Sequence, residues 1–138
     1  SVKDGVINIT GQPFGYMYTK EKYGDYKLHV EYRWPNGKEK ANSGIFLLIE
    51  EPKNPFPNGI ECNLMLDNAG DFVLLGGSDL TEYQNKPGQP RPSFPKIQKA
   101  NQDSEKPAGE WNEANIFVKK RCHHGLYQWR LPEHRDNR

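Results

Sequence analysis

The sequence predicts an all-β fold, an antiparallel sandwich of two sheets, and three observations carry that prediction. Apolar and polar side chains alternate with period two across residues 26–34 and 60–67, the spacing that sends successive side chains to opposite faces of a strand. Eleven Pro and thirteen Gly among 138 residues supply the turns that many short strands require. No stretch repeats its apolar residues with the 3.6-residue period of an amphipathic helix.

Taken along the chain, residues 6–10 alternate and read as a strand, turned by Gly11-Gln12-Pro13 into a hairpin partner at 16–19. A charged loop, 20–25, leads to the clearest strand, 26–34, which the Pro35-Asn36-Gly37 turn signal closes. The continuous apolar run 45–50 reads as a buried strand. Residues 51–58 hold Pro52, Pro55 and Pro57 and form a loop. Strand 60–67 follows, and Asn68-Ala69-Gly70-Asp71 turns it into a strand at 72–75. Residues 76–109 are a long irregular stretch punctuated by Pro87, Pro90, Pro92, Pro95 and Pro107. A loop of that length inside one domain suits a lid over a sheet face, with Tyr83 and Phe94 as stacking candidates, or a solvated excursion. Glu110-Trp111-Asn112 leads into the last clear strand, 114–119.

Bulk properties narrow the partners. The length suits one domain with a single core. Lys+Arg 19 against Asp+Glu 18 leaves a net charge of +1, so no basic field argues for nucleic acid. No segment approaches the roughly 18 apolar residues of a membrane span. Mean hydropathy is low at −0.96, but an aromatic fraction of 12% argues against disorder. Cys62 falls on an apolar strand face, where an inert buried thiol is expected; it and Cys122 make a weak case for a disulfide.

The polar strand faces carry the functional signal. On 60–67, Ile60, Cys62, Leu64 and Leu66 face one way, and Glu61, Asn63, Met65 and Asp67 the other. On 26–34, Leu28, Val30, Tyr32 and Trp34 oppose His29, Glu31 and Arg33. Two such strands side by side would gather His29, Glu31, Arg33, Glu61, Asn63 and Asp67 on one sheet surface, residue types able to hold and ionise a polyhydroxylated ligand. The alternative for each strand is an ordinary solvated face. Glu61 with Glu31 or Asp67 could supply the carboxylate pair of a glycoside hydrolase. There is no phosphate-binding loop, nucleophile elbow, H-E-x-x-H or Cys-rich metal spacing. His123-His124 are adjacent, so in a strand their rings would leave on opposite faces.

Taken together, Gly5-Val6-Ile7, Tyr16-Met17-Tyr18-Thr19, the run from Tyr23 to Leu28, Glu31-Tyr32-Arg33, Asn42-Ser43-Gly44-Ile45-Phe46, Gly59-Ile60-Glu61 and Gly109-Glu110-Trp111-Asn112 resemble, in order and spacing, the 3-keto-disaccharide hydrolase domain family. The resemblance implies a concanavalin-A-like lectin/glucanase jelly roll and a periplasmic or extracellular location in a bacterium. Leu48 and Asn63 stand where the family commonly has Arg and Gln. The implied chemistry acts on 3-keto-glycosides: the C3 ketone acidifies the C2 proton, the C1–oxygen bond leaves by elimination, and water adds. That needs a base, an electrophile at the C3 oxygen and an acid for the leaving oxygen. Glu61 is the candidate base or metal ligand, and His29 a second acid or ligand. Glu31, Arg33 and Asp67 would bind hydroxyls or orient partners, with Asn63 beside them. Trp111 could stack on a sugar or serve as a rim aromatic, and Asn42 could touch substrate or fix a turn. A divalent cation could act as Lewis acid, though no spacing demands one. A non-catalytic carbohydrate-binding module on the same sandwich is the competing expectation.

The segment 121–138 departs from both the alternation and the family. Back-translated with permitted codons and read one base later, it spells G-A-I-T-V-Y-I-N-G-V-Y-Q-N-T-E-T-T, two alternating runs about an Asn-Gly turn. The expectation is a sandwich domain over 1–120 followed by an out-of-frame tail, with one extra base near the Lys119-Lys120 codons. Sheet edges left open in that way could pair with another chain.

Overall fold

The computed structural model describes residues 1–37, 40–52, 55–123 and 126–130, with side chains described as far as residue 119. Nine strands follow one another: β1 (Val2–Lys3), β2 (Val6–Ile7), β3 (Tyr26–Tyr32), β4 (Gly44–Leu47), β5 (Gly59–Asn63), β6 (Phe72–Leu75), β7 (Lys96–Ile97), β8 (Asn112–His123) and β9 (Leu126–Arg130). No helix is present among the described residues, and every pairing is antiparallel. β1 and β2 form a hairpin, β3-β8-β9 one sheet, and β4-β5-β6-β7 another.

Alternation decides which face of each sheet is buried. On β3, Tyr26, Leu28, Val30 and Tyr32 are half-buried while Lys27, His29 and Glu31 are exposed. Tyr26 and Leu28 pack with Ile116 and Val118 of β8 against Leu47, Ile60, Cys62 and Leu74 of the four-stranded sheet. The two larger sheets therefore share one apolar core, an all-β architecture consistent with a sandwich. Cys62 is buried there as a free thiol, pushed up to about 11 by burial and by the neighbouring Glu61 charge, as an inert core cysteine should be.

Several boundaries differ from expectation, each for a local reason. The N-terminal hairpin pairs 2–3 with 6–7 rather than 6–10 with 16–19, because Asp4 (φ 51°) and Gly5 (φ 74°) make the turn. Positive φ at both central residues suits the right-handed twist of a tight hairpin, and Asp-Gly is the pair that adopts it readily. The apolar run from 45 leaves the strand after Leu47, since Leu48 takes a left-handed conformation (φ 54°). β5 stops at Asn63, whose side-chain oxygen accepts the Met65 N–H at 2.7 Å and so begins a turn. β8 begins at Asn112, and its backbone runs past 119 to His123 before β9 returns along it, pairing Lys119 with Arg130 and His123 with Leu126. Part of the segment read as an out-of-frame tail is thus strand backbone; His124 and residues 131–138 lie outside the described residues.

The long segment 76–109 is built into the fold. Leu80 joins the core, Tyr83 packs against it, and Arg91 lies over the Tyr83 ring at 4.7 Å. β7 adds a strand to the sheet, and Lys99 donates its backbone N–H to Asp71 Oδ1 at 3.0 Å. The Gly109-Glu110-Trp111-Asn112 run acts as a tie. Gly109 N–H donates to the Trp34 carbonyl at 2.7 Å, and Asn112 Oδ1 accepts the Lys106 N–H at 2.7 Å.

Glu105 is poorly accommodated. Both carboxylate oxygens are shielded from solvent without a well-formed hydrogen bond. Burial and the nearby Asp103 and Asp67 charges push its carboxyl up, while the Asp67 and Ala69 amides offset part of that. A carboxyl raised in the folded state stabilises the fold when protonated, below its unfolded value, and this contribution is lost as pH rises through the folded value. Glu105→Gln should therefore raise the stability at pH 8 by about 1 kcal/mol, seen as a higher melting temperature, with the gain vanishing near pH 4. Thermal melts at both values check it.

Candidate functional site

The outer face of the four-stranded sheet is where chemistry-bearing side chains converge. Strand register sets Phe46, Glu61, Val73 and Lys96 in one cross-strand row, on the face opposite Ile60, Cys62 and Leu74. A second row holds Gly44 beside Asn63, and Asn63 N–H donates to the Asp71 carbonyl at 2.8 Å, extending the ladder. Glu61 is thus flanked by Phe46 and Val73, with no cation beside it in its own row. It is partly buried, and loss of water pushes its carboxyl above the ordinary carboxylate range. A carboxylate whose proton affinity is raised in that way is better suited to accept a proton.

Aromatic rings border this face. Tyr16 stands edge-on to Phe46 at 5.3 Å and lies 6.2 Å from Tyr18. Phe14 meets Phe56 at 5.5 Å, and Phe56 meets Phe94 at 5.6 Å. Those three rings come from separate segments and stay 66%, 47% and 51% exposed. Phe56 precedes β5 and Phe94 precedes β7, so this cluster lies at the end of the sheet where β5 begins and β6 ends. Exposed rings in mutual contact can stack on the apolar face of a sugar.

At the opposite side of the face, Asp71 is 4% exposed and fully engaged. Besides the Lys99 N–H, it receives Asn68 Nδ2 at 3.4 Å and lies 3.8 Å from Lys96 Nζ. Lys99 Nζ donates to Asn68 Oδ1 at 3.3 Å and to the Ala69 carbonyl at 3.0 Å. Gln98, Asn101 and Gln102 complete a polar cleft of about 270 Å³ above it.

The expected single patch is corrected in its membership. His29, Glu31 and Arg33 belong to β3 and its end, and β3 pairs with β8, not with β5. His29 and Glu31 lie on the outer face of the other sheet, across the core from Glu61. There His29 Nδ1 is 2.7 Å from Asn115 Oδ1, and its Nε2 lies 3.9 Å from Glu31, an exposed pair worth little. The Arg33 guanidinium lies over the Trp111 ring at 4.8 Å, so the two residues read as separate substrate contacts occupy one another. Asp67 is not in a strand; it is exposed with φ 62° in a turn closed by the Asn68 N–H on the Met65 carbonyl. Asn63 shares Glu61's face but is 8% exposed, with its oxygen committed to Met65. Asn42 is exposed just ahead of β4, where Ser43 and Ala41 carbonyls extend the ladder to Leu64 and Leu66. Reading the sequence did not single out Phe14, Phe56 or Asp71; aromatics within polar, Pro-rich loops were the signal for the first two.

Among the described residues there is no group of three or more His, Cys, Asp or Glu side chains that could hold a metal ion. No helix among them is long and apolar enough to cross a membrane.

The fold is all-β and antiparallel, and the outer face of its four-stranded sheet holds the desolvated Glu61 carboxyl beside aromatic rings. The chain belongs to the 3-keto-alpha-glucoside-1,2-lyase-like domain family, whose model matches residues 1–124. No curated protein and no solved structure matches it.

Proposed function

We propose that this domain acts on 3-keto-glycosides on the outer face of the four-stranded sheet, with Glu61 as the base that takes the C2 proton. The single observation that carries this reading is the desolvated Glu61 carboxyl, set among aromatics in a domain of this family. As the C2–H bond breaks, its electron pair forms the C1–C2 double bond and the C1–oxygen pair departs with the leaving alcohol. The departing oxygen gains a proton, and a conjugated enone remains. Water adding across that double bond would complete a hydrolysis. The jelly roll of concanavalin-A type is part of the same proposal, since the shared core and the antiparallel sheets suit it.

The exposed Phe14, Phe56 and Phe94 rings favour a second reading, a carbohydrate-binding module without catalysis. Incubating the 138-residue chain with a 3-keto-α-glucoside, with and without added divalent cation, separates the two. Release of the alcohol with near-ultraviolet absorbance of the enone is expected. Binding of the glycoside without turnover in either condition would establish the module instead, and no binding at all would remove both readings.

A further inference from the structure

We infer that Gly44 is a positioning residue: its missing side chain is the seat in which the Glu61 side chain lies. Gly44 sits on β4 diagonally across from Glu61, facing Asn63, while Phe46 lies directly opposite Glu61. A Cβ built on Gly44 would collide with Glu61 Oε1 and would meet Glu61 Cγ at 2.5 Å and Cδ at 2.7 Å. No β-carbon fits at such distances, so any residue other than glycine must push the carboxylate away. The backbone at Gly44 is extended and not left-handed, so strand geometry itself would accept alanine. In an unstrained strand, alanine normally adds slight stability by restricting the unfolded chain. The glycine is explained by what lies over it.

The seat also sets direction. Because the carboxylate leans onto β4, its Oε1 lies over Gly44, away from Lys96 at the other end of its row. The groups facing Glu61 from β4 and β6 are Gly44, Phe46 and Val73, which do not titrate, and Cys62 beside it points into the core. The seat links Gly44 of the Asn42-Ser43-Gly44 run to Glu61 of the Gly59-Ile60-Glu61 run. It holds whether the carboxylate serves catalysis or binding.

The test is a cycle of the full chain, Gly44→Ala, Glu61→Ala and both together, followed by thermal melting. Gly44→Ala should shift the melting temperature less favourably with Glu61 present than in the Glu61→Ala background, where it should be unchanged or raised. An equal shift in both backgrounds overturns the seat. Should Gly44→Ala alone fail to fold, a folded double variant supports the inference and an unfolded one overturns it. Carbon-detected NMR titration of the Glu61 carboxyl, assigned against Glu61→Gln, supplies the second readout. In a folded Gly44→Ala the carboxyl should move toward water and titrate nearer the ordinary carboxylate range, and an unmoved titration overturns the inference. Neither measurement requires turnover, so a failed glycoside assay leaves this result standing, and the reverse.

Discussion

Glu61→Gln is expected to lower turnover of a 3-keto-glucoside by about a hundredfold or more, the span that a positioned general base contributes. Its stability should stay within about 1 kcal/mol of the parent, because the substitution keeps shape and removes only a charge from a site that disfavours it. The direction of any stability change follows from the raised carboxyl. Protonated Glu61 supports the fold below its unfolded value, and that support is lost as pH rises through the higher folded value. The Gln variant should lose this pH dependence and match or exceed the parent above it. Activity of the parent runs the other way, rising with pH as Glu61 ionises into a base. Parallel melts and rate profiles between pH 4 and 8 check both. Equal loss of fold and rate would make Glu61 structural, and full activity in Glu61→Gln would place the base elsewhere.

What alternation could supply, it supplied. Period two in residues 26–34 and 60–63 identified which side chains enter the core, and Leu28, Ile60 and Cys62 are there. Glu61 could be picked out because Glu61, Asn63 and Asp67 alternate along one strand face and because the Gly59-Ile60-Glu61 run resembles the family. Alternation does not say which strands are neighbours. Faces follow from local geometry, but pairing depends on contacts distant in sequence, and β3 finds β8 about ninety residues on. The patch of His29, Glu31 and Arg33 with Glu61 failed at that step, although each residue's own face was read correctly.

Local backbone chemistry accounts for the other misses. The hairpin signal Asp4-Gly5 was in plain view, but the longer alternation that follows drew the strand to the wrong partner. Asn63 and Asp67 continued an alternating pattern, yet an Asn side chain bonding two residues on competes with the sheet ladder, and here it wins. Leu48 shows the reverse problem, since nothing in a run of apolar residues announces a left-handed leucine. Gly44 was visible as a motif member, but its purpose appears only once the Glu61 side chain is in place.

Asp71 was read as a turn residue, and the structure makes it the clasp that fastens the long 76–109 segment to the sheet. Its backbone carbonyl pairs with the Asn63 N–H, while its carboxylate holds the Lys99 N–H and faces Asn68 and Lys96. At 4% exposure, those bonds compete little with water. Asp71→Ala removes an acceptor from Lys99 and Asn68 together and should cost about 2–3 kcal/mol, the range for stranding hydrogen-bond partners of a charged group. Asp71→Asn keeps an oxygen for the Lys99 N–H and gives up the charge facing Lys96, whose ammonium is well exposed. It should therefore cost less, about 1 kcal/mol. Urea denaturation measures both, and protease cleavage within 96–103 should rise in the Ala variant before global unfolding does. Equal losses in the two variants would mean that the charge, not the acceptor, fastens the segment. No loss in either would mean that Leu80 and Tyr83 in the core suffice to hold it.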